Sequence, residues 1–209
     1  MLTLFVFYSV IVITGFLTIY GKYKKPSIVF FFKPLTTILI IILSFSLSSA
    51  NYFYNNLIIA GLFCSLAGDI FLLFPEKLFN AGLGAFLLTH LFYSIAFYNV
   101  SDRIYILPIL FIVIYAYVFY NKLKLRKSKY KLPVIIYISA ISLMCFFAVN
   151  LFIYNSFIYA GNILVASLLF LVSDSMLAYN KFVERIKPAE IVILSTYYAS
   201  QVIIASSVM

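Results

Sequence analysis

The chain consists of long apolar runs, nearly free of charge, separated by short polar connections. Hydrophobic residues make up 65% of the 209 and charged residues only 10%, whereas a soluble domain carries about a quarter charged residues. A helix needs roughly 20 apolar residues to cross the hydrocarbon of a bilayer. Eight such runs can be read, at 2–20, 34–50, 57–74, 79–98, 104–120, 132–154, 157–178 and 189–208. Pro75-Glu76-Lys77, Ser101-Asp102-Arg103 and Lys187-Pro188 punctuate them. No connection is long enough for a soluble domain. Residues 1–209 are therefore expected to form a single integral membrane domain, all-α, a polytopic bundle of eight transmembrane helices. The first charge is Lys22, so the first run reads as a span rather than a cleaved leader.

The basic residues are distributed unevenly. Every lysine and arginine except Arg103 lies in or beside the odd-numbered connections. The positive-inside rule then places those connections in the cytoplasm and both termini on the other side. The net charge of +9 is thus a topology signal, and no nucleic-acid partner is expected. The basic run from Lys122 to Lys131, with Lys124, Arg126, Lys127 and Lys129, reads as a topology determinant that also meets anionic lipid heads. Trp is absent, so Tyr must supply any interfacial belt.

A weak internal echo accompanies this pattern. Leu66-Ala67-Gly68-Asp69 precedes an apolar run and then Pro75; Leu171-Val172-Ser173-Asp174 precedes a similar run and then Asn180. Lys33-Pro34 opens the second span as Lys131-Leu132-Pro133 opens the sixth. Halves 1–103 and 104–209 would then be parallel repeats of four helices, related by an axis along the membrane normal.

Within this frame, Asp69 and Asp174 lie inside apolar stretches, while the other four acidic residues fall in connections or at span ends. A charged group at membrane depth costs roughly 2.5–3.5 kcal/mol on insertion scales and marks a functional-site candidate. Measured from Pro75 and Asn180, each aspartate is expected roughly 9 Å inside its helix. His90 falls within the fourth span, and Tyr197 and Gln201 share a face of the eighth. Lys33 is expected at the cytoplasmic mouth of the second helix, with Pro34 at its first position. Each polar face avoids lipid only by turning into the bundle, so these groups are expected to converge on a polar cavity. Hydrogen-bonded helix–helix contact is the alternative for each, and it is the stronger reading for Gln201.

Two carboxyl groups in one dry cavity are expected to hold a proton between them and to titrate as a unit. That suits hydrolysis through an oxocarbenium-like state. It equally suits a proton relay in a small transporter or lipid translocator. A serine nucleophile lacks its G-x-S-x-G elbow. With one His and two Cys no metal site is expected, and a retinal-type pump would need a lysine in the last helix.

Short motifs in chain order resemble the YhhN family of lysoplasmalogenase-like membrane proteins. They are Lys33-Pro34-Leu35-Thr36, Gly68-Asp69, Phe74-Pro75 and Gly82-Leu83-Gly84-Ala85-Phe86 with His90 and Tyr93. Val172-Ser173-Asp174-Ser175, Ala178-Tyr179-Asn180-Lys181-Phe182 and Thr196-Tyr197-Tyr198-Ala199-Ser200-Gln201 continue the series. The resemblance implies an eight-helix hydrolase that cleaves the vinyl-ether bond of a lysoplasmalogen without cofactor or metal. The products would be a fatty aldehyde and glycerophosphoethanolamine or glycerophosphocholine. Asp69 and Asp174 would be the catalytic pair. His90, Tyr197 and Gln201 would position water or the glycerol hydroxyl, and Lys33 would meet the phosphate. Clustering of Gly61, Gly68, Gly82 and Gly84 in one half favours the enzyme over a transporter, which would break matching helices in both halves. The expected location is the bacterial inner (plasma) membrane, with the lysophospholipid entering a site open to the cytoplasmic leaflet.

Overall fold

The computed structural model describes residues 2–47, 51–101, 103–123, 125, 130–154 and 157–208. Among them are eight α-helices and no strand: α1 (Leu2–Lys24), α2 (Pro26–Leu47), α3 (Tyr52–Phe71), α4 (Pro75–Asn99), α5 (Pro108–Lys122), α6 (Lys131–Tyr154), α7 (Ala160–Phe182) and α8 (Ala189–Ser206). Seven are long and apolar enough to cross a membrane. α5 is apolar but has 15 residues, about 22 Å of helix against roughly 30 Å of hydrocarbon. Most of Lys124–Lys129, and Asp102, lie outside the described residues.

Several helix starts differ from the sequence expectation, and two of them bear on the site. α2 begins at Pro26 rather than at 34, so Lys33 and Pro34 sit inside it and Pro34 is not a first-turn proline. α4 begins at Pro75, not 79, which makes Pro75 the helix-starting proline. α3 ends correspondingly early, at Phe71. Asp69 is then two residues from its helix end and Asp174 eight from its own, about 3 Å and 12 Å along the axes. The equal depth expected for the two aspartates does not hold, because the helices continue past them by different amounts.

α3 packs along α4, α7 along α8 and α1 along α2, while α6 bridges α4 and α7. α8 closes the bundle against α1, α2 and α3, and α5 packs chiefly on α6. The close approach of α3 to α4 depends on glycine. A Cβ at Gly61 would lie 2.3 Å from the Tyr93 ring, and one at Gly68 would lie 2.6 Å from the Phe86 ring. These glycines are seven apart, so both holes face α4. Small residues of this kind allow helices to pack tightly in lipid, where no hydrophobic force drives them together.

Hydrogen bonds register α8 on α3. Tyr197 donates to Asp69, Gln201 Nε2 donates to Ser65 Oγ at 2.5 Å, and Tyr54 and Ser207 hydroxyls meet at 2.6 Å. Partner numbers fall on one helix as they rise on the other, so the two run antiparallel. Outward faces carry exposed Phe5, Phe16, Phe31, Phe45, Phe63 and Phe111, as expected where lipid is the solvent.

Candidate functional site

Connections α1–α2, α3–α4 and α7–α8 gather at one end of the bundle. There a cavity of about 350 Å³ opens, with Lys22, Lys181, Arg185 and Glu190 among its lining and both Asp69 and Asp174 within it. The early turn of α4 helps shape this end: Leu78 departs from helical geometry (φ −115°, ψ 15°), and Phe79 next to it lines the cavity.

Asp69 is enclosed on every side. Its Oδ2 accepts hydrogen bonds from Thr37 Oγ1 at 2.5 Å and Tyr197 OH at 2.8 Å. Its Oδ1 pairs with Lys33 Nζ at 3.2 Å, and the same ammonium donates to the Asp69 carbonyl at 3.3 Å. Lys33 and Thr37 are one turn apart on α2, so a single helix face delivers both. Side-chain exposure is 6% for Lys33 and 1% for Asp69. Removing both charges from water costs several kcal/mol per ion, which only close pairing and full hydrogen bonding recover.

Asp174 has a different set of partners. Tyr137 OH donates to its Oδ2, and His90 Nε2 meets the same oxygen at 2.9 Å. Nε2 also lies 3.2 Å from the Tyr137 hydroxyl, so the three groups form one cluster from α4, α6 and α7. Both protein contacts fall on Oδ2. The side chain keeps 9% exposure where it lines the cavity. His90 is fully buried, and its Nδ1 has no hydrogen-bond partner among the described residues. Each carboxyl group sits in a hydrogen-bonded nest of its own, and no hydrogen bond joins the two directly among the described residues. Phe86, Phe170 and Tyr197 stack edge-to-face between them, and His90 closes on Phe170 at 4.7 Å.

Asp174 also borders a second space. A narrow apolar slot of about 30 Å³ runs between α5, α6 and α7, lined by Tyr115, Phe119, Val134 and Ile138 among others. Phe79, Asp174 and Leu177 line both this slot and the larger cavity. One carboxylate therefore sits where a polar chamber meets an apolar seam.

Lys33 and Tyr197 line the cavity as Asp69's partners, with Lys33 well inside its helix rather than at a mouth. His90 reaches the cavity only through Asp174. Gln201 is fully buried away from it, accepting from Tyr93 OH at 2.6 Å and donating to Ser65, which ties α8 to α3 and α4. Sequence reasoning gave no site role to Thr37 or Tyr137, nor to Lys181 and Arg185 in the cavity lining. Thr37 carried a signal in its one-turn spacing from Lys33, and Lys181 stood within the family motif 178–182.

This is an integral membrane protein of the polytopic helical class, with ionisable groups enclosed at one end of its bundle. The model of the YhhN family matches residues 28–208, and the chain belongs to that family. It is 24% identical over 197 residues to the "Uncharacterized membrane protein YhhN" of Escherichia coli O157:H7, covering 93% of this chain and 94% of that one. It is 31% identical over 157 residues to "Lysoplasmalogenase TMEM86B" of Sus scrofa, covering 74% of this chain and 64% of that protein. For the Homo sapiens protein of the same name the identity is 32% over 159 residues, covering 75% and 65%. No solved structure matches.

Proposed function

We propose that this chain is a membrane hydrolase that cleaves the vinyl-ether bond of a lysophospholipid, giving a fatty aldehyde and a glycerophospho-alcohol. The observation that carries this reading is the position of Asp174 at the junction of a polar, cation-rimmed cavity and an apolar slot. An amphiphile laid across that junction presents its head to the cavity, its chain to the seam and its ether linkage to the carboxyl group. The slot is far smaller than an alkenyl chain, so the chain must part α5 from α7 or run outward into lipid. The relatives named lysoplasmalogenase support the same substrate class.

The chemistry follows from the two nests. A vinyl ether is protonated at its β-carbon, giving an oxocarbenium ion. Asp174, with an oxygen facing the cavity, is the proton donor, and His90 and Tyr137 orient it through contacts on its other oxygen. Asp69, tied to Lys33, Thr37 and Tyr197, is fixed in the cavity wall and orders the site without taking part in the proton transfer. Water adds to the α-carbon and returns a proton to Asp174. The resulting hemiacetal releases the aldehyde and the glycerol hydroxyl, with no net change in the protein.

The test uses purified protein in detergent with a 1-alkenyl lysophospholipid in D2O, the aldehyde being trapped by rapid reduction. The expected product carries one deuteron on the carbon next to the carbonyl carbon. Absence of aldehyde would overturn the proposal; solute uptake driven by protons in proteoliposomes would then point to a translocator.

A further inference from the structure

Four cations line the cavity, and they are not equivalent. Lys22 pairs with Glu190 at 3.4 Å and Lys33 with Asp69 at 3.2 Å. Lys181 and Arg185 have no carboxylate partner among the described residues. We propose that these two cations bind the phosphate group of the lipid head and so set the register of the substrate against Asp174. This rests on the hydrolase reading above and names the part of the site that recognises the head.

Three observations support the assignment. The first is order at an exposed rim. Lys181 Nζ rests over the Phe79 ring, 4.8 Å from its centroid, which localises the ammonium and shields one side from water. The segment carrying Arg185 is tied back to α7: Val183 and Glu184 backbone N–H groups reach the Tyr179 carbonyl, and Asn180 Oδ1 accepts from Ile186 N at 2.8 Å. Favourable placement of a cation at a helix C-terminus accounts for Lys181 alone. It does not account for Arg185, which lies beyond the helix.

The second is alignment. Asp174, Leu177 and Lys181 all line the cavity, and their spacing of three and four residues puts them on one stripe of α7. The third is length. Asp174 and Lys181 are two helical turns apart, about 10 Å along the axis. From the carbon that accepts the proton to the phosphorus of a 1-alkenyl glycerophospholipid is seven bonds, roughly 9 Å when extended at standard bond lengths. A phosphate on Lys181 and Arg185 thus leaves the vinyl ether beside Asp174. A compact ammonium and a forked guanidinium together suit a phosphodiester anion. Lys33 does not take this role, since its ammonium is committed to Asp69.

The experiment measures equilibrium binding of two uncleavable lipids to purified protein. One is a 1-O-alkyl lysophospholipid and the other a 1-O-alkyl glycerol without phosphate. Wild type is compared with Lys181→Gln, Arg185→Gln, the double variant, and Lys24→Gln as a charge control outside the cavity. Each single change is expected to weaken the phosphate-bearing lipid about tenfold, the size of one lost charged hydrogen bond. Alkyl glycerol binding should be equal in all five proteins, which also shows that each is folded. A double variant that binds the alkyl lysophospholipid as tightly as wild type overturns the proposal. So does displacement of that lipid by inorganic phosphate at the same concentration as by glycerophosphoethanolamine, because the site would then read free phosphate. Aldehyde release is followed in parallel on the 1-alkenyl lipid. If wild type releases none while the binding differences persist, the hydrolase reading falls and the phosphate site stands.

Discussion

The carboxylate on α3 and the carboxylate on α7 stand in similar stretches of sequence but have different surroundings. Lys33, Thr37 and Tyr197 cover both oxygens of Asp69, leaving the side chain 1% exposed. His90 and Tyr137 crowd onto one oxygen of Asp174, which keeps 9% exposure at the meeting of the polar cavity and the apolar slot. Lys33 closes on its partner as an ion pair, whereas the His90 and Tyr137 contacts leave the other oxygen of Asp174 for the cavity. On the proposed mechanism, the difference separates a carboxylate fixed by its partners from one placed to react.

The largest change in stability should come from the enclosed nest. Lys33→Met strands a buried carboxylate, and thermal unfolding in detergent should register a loss of about 3–5 kcal/mol. Adding Asp69→Leu should recover most of it. His90→Leu should cost less, because Asp174 retains Tyr137 and the cavity; a larger loss at His90 would break the contrast.

The two tyrosines sharpen it. Tyr137→Phe removes a donor from Asp174, the proposed acid, and should lower kcat for aldehyde release about tenfold or more. Tyr197→Phe removes a donor from the enclosed Asp69 and should appear mainly as roughly 1.5–3 kcal/mol of lost stability. Equal kcat effects would mean that both aspartates do the same work. Packing between α3 and α4 supplies a smaller effect. Gly68→Val drives a side chain into the Phe86 ring and should cost about 1–3 kcal/mol. Gly84→Ala meets nothing within 4 Å and should leave unfolding unchanged or raise stability by up to about 1 kcal/mol. A loss at Gly84 matching that at Gly68 would mean that contact with α4 is not what requires glycine at Gly68.

Helix number and class were legible in the sequence because lipid demands long runs with every backbone group satisfied internally. Boundaries were less so, for reasons visible at particular residues. Lys33 looked like a connection because a lysine inside a span needs a partner, and that partner lies 36 residues away on α3. With Asp69 supplying it, α2 continues back to Pro26. The two aspartates stood out because their cost in lipid is local information. Their partners are set by packing: Tyr137 is one of 18 tyrosines, and nothing in its neighbourhood marks it as the one that reaches Asp174. Lys181 and Arg185 looked like topology charges, and although Lys181 stood in a family motif, it is the cavity beside them that suggests a second use.

The central claim is that Asp174 delivers the proton and Asp69 does not. Single-turnover aldehyde release from a bound 1-alkenyl lysophospholipid tests it most directly. Asp174→Asn should bind the lipid normally and lose about 10²–10⁴ in rate, the range for a removed general acid. A folded Asp174→Asn variant that releases aldehyde at the wild-type rate would contradict the account.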